Sequence, residues 1–465
     1  MKKGIFAILI FLLYNFTIFA CTIAVISGKA TTDGRPIIFK TRDERDEYRQ
    51  EVKYYPPTGD EKYGHMSVVK WGLNNNPIFP DVINGAGINE TGFMITNTTV
   101  YSNLLAESIN SNMPLLNYAI PRCKTLEDFE NILGNWHKIK NVSTISGNFA
   151  VVDANGKAAI YEINKTSPIL TKIRWEKFSA DDAYDENGNF LGFVVRTNDN
   201  QFSPYTGGSA REERANEILK KLALNNNINQ KTIMRELSRD VCGDVEKVNI
   251  KELKEEGITI DEELENKDIY NFYTEECISR YNTNFAFVGR GIKKGEDKRL
   301  ITMWVNLGEP SVGIFTPFFP LSKKVPLYAW ADELPEENNV NIIDENSSSI
   351  MNNLIATKGE LAVYDNLEVG LGPLGLTVTE GIDRTINYAK TLEIQDFVFP
   401  VEDIIIDETE KFLDMLREQS NIINSNLLYR FSDYAIRYAY DNYNMIDSDK
   451  PNEYRQWDFT YYAAP

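Results

Sequence analysis

An α+β fold, built from antiparallel strand pairs with helices set between them, is what the sequence predicts. Three features point to it. The segments Gly147-Asn148-Phe149-Ala150-Val151-Val152-Asp153 and Ala158-Ala159-Ile160-Tyr161-Glu162 flank Asn155-Gly156, a dipeptide suited to the positive φ angles of a tight hairpin turn. A second pair, Phe285-Ala286-Phe287-Val288 and Leu300-Ile301-Thr302-Met303-Trp304-Val305, flanks a polar loop. Between such pairs lie two helix starts, Thr125-Leu126-Glu127-Asp128 and Ser209-Ala210-Arg211-Glu212, each resembling a capping box ahead of an amphipathic run. Strand pairs need a helix or a second sheet to cover their apolar face, so the elements are expected to stack in layers.

In chain order, the first segment is a leader. Met1-Lys2-Lys3 is cationic, Gly4 to Leu13 is apolar, and the stretch to Ala20 ends on a small residue, the pattern of an export signal over residues 1–20. The apolar run is broken by Asn15 and Thr17, too short for the ~20 residues of a membrane span. The mature chain is therefore expected to be exported, to the periplasm or the extracellular space.

Residues 21–331 carry the strand and helix signals above. They open on a hairpin in which Cys21 to Gly28 and Pro36-Ile37-Ile38-Phe39 flank Thr31-Thr32-Asp33-Gly34. A two-residue turn at Asp33-Gly34 would place Cys21 opposite Asp46, and a longer loop would bring Arg42 toward it. Residues 332–465 form an acidic linker, with Asp332-Glu333-Leu334-Pro335-Glu336-Glu337 and Ser347-Ser348-Ser349, then a mostly helical extension from Glu408 to about Tyr443. Gly370-Leu371-Gly372-Pro373-Leu374-Gly375 matches a dinucleotide-binding pattern, but Pro373 interrupts it and no βαβ unit surrounds it, so it reads as a loop.

Composition narrows the function. With 42% hydrophobic and 25% charged residues, the 465-residue chain is an ordinary globular protein. Its net charge is −19, and losing Lys2 and Lys3 with the leader leaves 47 basic against 68 acidic residues, or −21. Such a surface repels phosphate backbones, which argues against nucleic acid as a partner. The four cysteines, Cys21, Cys123, Cys242 and Cys277, are too sparse for a disulfide scaffold and show no metal-binding spacing, so no cofactor is implied. With Cys21 reserved for chemistry, at least one of the other three is free or paired between chains. His65 and His137 are the only histidines, and each reads as a core or surface residue. Catalysis without histidine needs another base.

Cys21 supplies one. Cleavage after Ala20 would leave a thiol and a free α-amine on the same residue, a nucleophile and its general base in one group. Lys40, Arg42, Asp43 and Asp46 stand near the open end of the hairpin that carries it. A second reading of Cys21 stays open at this point. A cysteine that follows a leader is also where a bacterial lipoprotein takes its lipid anchor, which would consume both thiol and amine.

Read together, Cys21-Thr22-Ile23 with Thr32-Asp33-Gly34-Arg35-Pro36-Ile37-Ile38-Phe39-Lys40-Thr41-Arg42-Asp43 resembles the N-terminus of the N-terminal-nucleophile cysteine hydrolases. That group includes choloylglycine (bile-salt) hydrolases, penicillin V acylases and isopenicillin N acyltransferase-like amidases. Gly87-Ile88-Asn89-Glu90-Thr91-Gly92-Phe93, Arg196-Thr197-Asn198 and Ser209-Ala210-Arg211 are similar to further segments of the group, in the same order. Gly295 to Trp304 resembles the acyltransferase-like, carcinine-hydrolase-type branch.

The resemblance implies a four-layer αββα sandwich of antiparallel sheets, with Cys21 at the end of a central strand. It implies Cys21 as nucleophile, Asp43 orienting its amine and thiol, Asn198 donating to the oxyanion with a backbone group near Asn97 as second donor, and Arg211 steadying the Cys21–Asp43 pair. Lys40 stands where these relatives usually have arginine. It keeps the charge but lacks the planar fork, a loss for which Arg42 compensates in this reading. The expected activity is hydrolysis of, or acyl transfer from, linear amides of a small-molecule acyl-amine through an acyl-enzyme. The alternatives are an N-terminal-cysteine dipeptidase and a non-catalytic lipoprotein.

Overall fold

In the computed structural model the described residues are 21–43, 50–70, 83–100, 112–139, 145–164, 173–202, 208–241, 245–247, 251, 270–331, 349–360, 385–446 and 456–458. The leader, the glycine-rich 370–375 segment, the acidic stretch 332–348 and Cys242 lie outside them. The chain begins with β1 (Cys21–Ile26), β2 (Ile37–Asp43), β3 (Gln50–Tyr55), β4 (His65–Lys70), β5 (Ile83–Asn89) and β6 (Met94–Thr99). Helices α1 (Asn112–Ala119) and α2 (Leu126–Ile139) follow, then β7 (Gly147–Val152), β8 (Ala158–Asn164), β9 (Arg174–Ser179) and β10 (Phe193–Arg196). Beyond α3 (Ser209–Leu224) come β11 (Val245–Lys247), β12 (Tyr270–Tyr273), β13 (Thr283–Arg290), β14 (Thr302–Leu307) and β15 (Thr316–Phe318). The last elements are β16 (Thr385–Asn387), α4 (Tyr388–Glu418) and α5 (Ser425–Tyr443).

Two antiparallel sheets face each other. One has six strands in the order β10-β1-β2-β13-β14-β15, the other seven in the order β3 to β9, and a small three-stranded sheet joins β11, β12 and β16. The two-residue period of a strand explains the layering. In β6, β7 and β8, Ile95, Phe149, Val151, Ala159, Tyr161 and Ile163 face outward onto Leu115, Phe129, Leu133 and Trp136 of α1 and α2. Their neighbours Met94, Ala150, Val152, Ala158 and Ile160 face inward to Ile23, Val25, Ile38 and Phe287 of the other sheet. Leu219 and Leu222 of α3 and Ile405, Phe412, Phe431 and Ile436 of α4 and α5 extend that second core. The result is an α+β sandwich ordered helix, sheet, sheet, helix.

Local chemistry accounts for most boundaries. The β7–β8 hairpin turns at Gly156, whose φ of +82° suits glycine. Helix α2 opens on a reciprocal capping box: the Asp128 amide donates to Thr125 Oγ1 at 3.1 Å and the Thr125 amide donates to Asp128 Oδ2 at 3.0 Å. The β13–β14 pair forms as expected. Three details differ from the sequence reading.

First, β1 and β2 pair Cys21 with Arg42, the longer-loop alternative, because residues 27–36 form a compact loop rather than a two-residue turn. Thr31 Oγ1 donates to the Arg35 carbonyl at 2.8 Å and Asp33 Oδ1 accepts from the Arg35 amide at 3.0 Å, using up the polar groups that a tight turn would expose. Second, α3 has Gly208, not Ser209, at its N-cap, and no side chain caps it. Third, α4 starts at Tyr388, well before Glu408, and runs through Pro400. Proline removes one helical hydrogen bond, but packing of Phe397, Val398, Val401 and Ile405 on the sheet outweighs that loss.

Residues 385–446 share the core of residues 21–331. Strand β16 pairs with β12, and buried Glu402 of α4 accepts from Arg239 at 3.0 and 2.6 Å and from the Phe315 amide at 2.8 Å. Arg235 lies 2.8 Å from the same carboxylate. Burial alone would raise the Glu402 carboxyl, but the Arg239 and Arg235 charges outweigh it and hold it below the usual range. Among the described residues no helix is long and apolar enough to cross a membrane.

Candidate active site

Cys21 is the first residue of β1, an inner strand between β10 and β2, and only 9% of its surface is exposed. On the β2 side Cys21 pairs with Arg42, but β10 pairs only from Ile23 onward, so the Cys21 nitrogen has no ladder partner on that side. It donates instead to Asn198 Oδ1 at 2.9 Å. In the full chain this nitrogen is a peptide N–H; the cleavage after Ala20 expected from the sequence would make the same atom an α-amine.

Asn198 follows the end of β10 and is fully buried. Its Oδ1 also accepts from Arg211 Nη2 at 3.0 Å, and its Nδ2 donates to the Thr99 carbonyl at 2.7 Å. One Nδ2 hydrogen is thereby committed and the second is left for another acceptor. Arg211, in the first turn of α3, donates through Nη1 to the Cys21 carbonyl at 3.3 Å. That same Nη1 lies 3.7 Å from Asp43 Oδ2. Asn198 and Arg211 thus grip Cys21 from both ends of its own backbone.

Asp43 closes β2 and is buried. Arg280 Nη1 lies 3.4 Å from its Oδ2, and the Thr283 hydroxyl donates to its Oδ1 at 2.6 Å. Burial, the largest influence, pushes the Asp43 carboxyl above its ordinary range, while Arg280, Arg211 and Thr283 pull the other way without cancelling it. Burial likewise lowers the Arg211 guanidinium, opposed by Asp43 and by the nearby Cys21. Groups perturbed in this way cluster at functional sites, and buried structural ion pairs show the same perturbation.

The structure therefore brings Cys21, Asp43, Asn198 and Arg211 into one cluster. Lys40 and Asn97 form a second pair. Lys40, 1% exposed, sits opposite Ile23 and donates to both the backbone carbonyl and Oδ1 of Asn97, the latter at 3.3 Å. Arg42 is the cation directly across from Cys21 in the β1–β2 ladder, on the same face of the sheet. A Cβ built on Gly85 of the facing sheet would lie 3.0 Å from Arg42 Nη1, so the guanidinium reaches across the space between the sheets. Arg280 and Thr283 were not singled out in the sequence, since nothing in Ser279-Arg280-Tyr281-Asn282-Thr283 marks it off from an ordinary polar lead into a strand.

Neither histidine takes part. His65 is buried and stacked on Tyr55 at 5.0 Å, and burial lowers its imidazole to about 4. His137 lies in the last turn of α2. Cys123 is free and buried, and burial pushes its thiol well above the ordinary range, while Cys277 is disulfide-bonded. Among the described residues no group of three or more histidine, cysteine or acidic side chains is placed to hold a metal.

No protein-family model matches the chain, and no curated protein matches it. Solved structures similar to it include two of conjugated bile acid hydrolase from Clostridium perfringens, a mutant and a single-residue variant. These are 12% and 10% identical, with TM-scores of 0.31 and 0.32, and each match covers 62% of this chain and 89% of the other. Another is the Caenorhabditis elegans ortholog of N-acylethanolamine-hydrolyzing acid amidase, 13% identical with a TM-score of 0.33, covering 58% of this chain and 92% of that one.

Proposed function

We propose that this protein is an exported amide hydrolase or acyltransferase whose nucleophile is the thiol of an N-terminal Cys21. The observation that carries the reading is the hold on the Cys21 nitrogen: Asn198 Oδ1 accepts from it at 2.9 Å, and Arg211 ties Asn198 and the Cys21 carbonyl to Asp43. An amine that donates an N–H to a fixed acceptor has its lone pair turned to a fixed direction. That is what a general base on the same residue as its nucleophile requires.

The steps follow. The amine, with an ordinary pKa of ~8, takes the thiol proton. The thiolate attacks the amide carbonyl, forming a C–S bond, and the remaining Nδ2 hydrogen of Asn198 with a backbone N–H near Asn97 receives the developing oxyanion. Each such donor is typically worth about 3 kcal/mol in the transition state. The C–N bond then breaks as the ammonium returns its proton to the leaving nitrogen. Water, or a second amine, attacks the thioester and restores the thiol. Arg42 stands opposite Cys21 in the ladder, on the face of the sheet that carries the thiol. Export chemistry fits the same reading, because removal of residues 1–20 is the event that frees the amine.

The test is a panel of N-acyl amides and dipeptides offered to wild-type protein and to Cys21→Ala. Turnover of acyl amides that disappears in the variant is expected. Undiminished turnover in the variant places the nucleophile elsewhere, and a preference for dipeptides favours a dipeptidase.

A further inference from the structure

Asn198 acts only if its own backbone is fixed, and the fixing residues lie on the opposite sheet. Asn148 of β7, fully buried, donates through Nδ2 to the carbonyls of Thr197 and Asp199, both at 2.9 Å, and stands 3.2 Å from Thr98 Oγ1. The two carbonyls are those on either side of Asn198. The Thr98 hydroxyl donates to the Thr197 carbonyl as well, and the neighbouring Thr99 carbonyl takes the Asn198 side chain. Residue 198 is thus pinned to the seven-stranded sheet while its Oδ1 reaches the Cys21 nitrogen of the six-stranded one.

A carboxamide nitrogen has two hydrogens, so one group serving both flanking carbonyls defines position and rotation of the residue between them. An asparagine that merely filled the core would have both its nitrogen and its oxygen paired. Asn148 instead sets its nitrogen on the two carbonyls around a single residue while its Oδ1 is buried without a partner. That arrangement opposes stability, since a buried unsatisfied carbonyl typically costs about 1–3 kcal/mol.

We infer that Asn148 is a positioning residue of the reaction: through the carbonyls of Thr197 and Asp199 it sets the distance from Asn198 to the Cys21 nitrogen, and so the reactivity of the thiol. The inference rests on the catalytic reading of Cys21. It is tested on the exported protein by the rate of Cys21 alkylation with iodoacetamide, followed by peptide mass across pH 5–9, in wild type, Asn148→Ala, Asn198→Ala and the double variant. Each single substitution is expected to slow alkylation about tenfold and to shift the pH profile alike. The double variant should be no slower than Asn198→Ala, because one residue works through the other. Thr98→Val, which removes only a hydroxyl from the same carbonyl, should give a smaller loss in the same direction and serves if Asn148→Ala does not fold.

Alkylation in Asn148→Ala or Thr98→Val within twofold of wild type at every pH overturns the inference. So does a double variant whose loss is the product of the two single losses, the mark of two independent effects. A wild-type Cys21 that iodoacetamide does not modify overturns the catalytic reading itself, and the inference with it. The wild-type arm therefore tells the two failures apart.

Discussion

Asp43 is where burial and charge disagree most sharply. Its carboxyl is enclosed, its proton affinity is raised by that enclosure, and two guanidiniums compete to keep it ionised. An asparagine there keeps an oxygen for Thr283 or Arg280 and removes the charge that burial opposes. Asp43→Asn should therefore change folding stability by only about 1–3 kcal/mol. Its effect on chemistry should be larger, because Arg211 loses the anion that holds it beside Cys21: a drop of tenfold or more in Cys21 reactivity is expected. Urea denaturation and alkylation rate, measured on the same preparation, check both halves. A variant that keeps wild-type reactivity, or one that does not fold, contradicts this view of Asp43.

At the scale of elements, two joints matter. The first is the entry to α3. A Cβ on Gly208 would fall 2.3 Å from Thr197 Oγ1 and 3.1 Å from the Asn198 nitrogen, so Gly208→Ala must push the segment that carries Asn198. Slower alkylation of Cys21 with the helix intact by circular dichroism is the expected outcome, and an unchanged rate counts against the close approach. The second joint is Glu402. Its folded carboxyl lies below the ordinary value of ~4.3, so the stability it contributes is present above that value and is lost as pH falls toward the folded pKa. Wild type should lose stability more steeply than Glu402→Gln between about pH 5 and 3. At pH 7 the variant should be about 3–5 kcal/mol less stable, since it leaves Arg239 buried beside a neutral group. Equal acid slopes would show that the carboxylate is not the link.

Element by element, what could be read from the chain was what short-range chemistry decides. Asn155-Gly156 and the Thr125–Asp128 cap are settled within a few residues of themselves, and both hairpin and helix start are where those residues put them. The register of β1 on β2 was left between two alternatives because it depends on how residues 27–36 satisfy their own polar groups. The start of α4 at Tyr388 lies well ahead of the Glu408–Tyr443 periodicity, and a helix that runs through Pro400 is held by tertiary packing, which local sequence does not show. Cys21, Asp43, Asn198 and Arg211 could be named from ordered motifs. Arg280, Thr283 and Asn148 could not, since each meets the site only when two strands distant in sequence come together.

For the whole molecule, export and activation are one event in the proposed function. The six-stranded sheet buries Cys21 at a strand end, the seven-stranded sheet pins Asn198 to it, and α3 contributes Arg211. The cluster is thus assembled by folding, and in the proposed reading the amine is supplied last, by loss of residues 1–20. Protein carrying a Cys21 that is still joined to Ala20 should fold to similar stability yet turn over amides at least 100-fold more slowly than protein beginning at Cys21. Comparable turnover from the two forms would mean that the base is another group.

The most direct test is the mass of the amino-terminal peptide of the exported protein, before and after a brief reaction with iodoacetamide at neutral pH, alongside amide turnover. The account predicts a peptide that starts at Cys21, carries an unblocked amine, gains a single carbamidomethyl group on its sulfur and loses turnover in proportion to that gain. A diacylglyceryl adduct on Cys21, or full turnover by protein whose Cys21 is wholly alkylated, would contradict it.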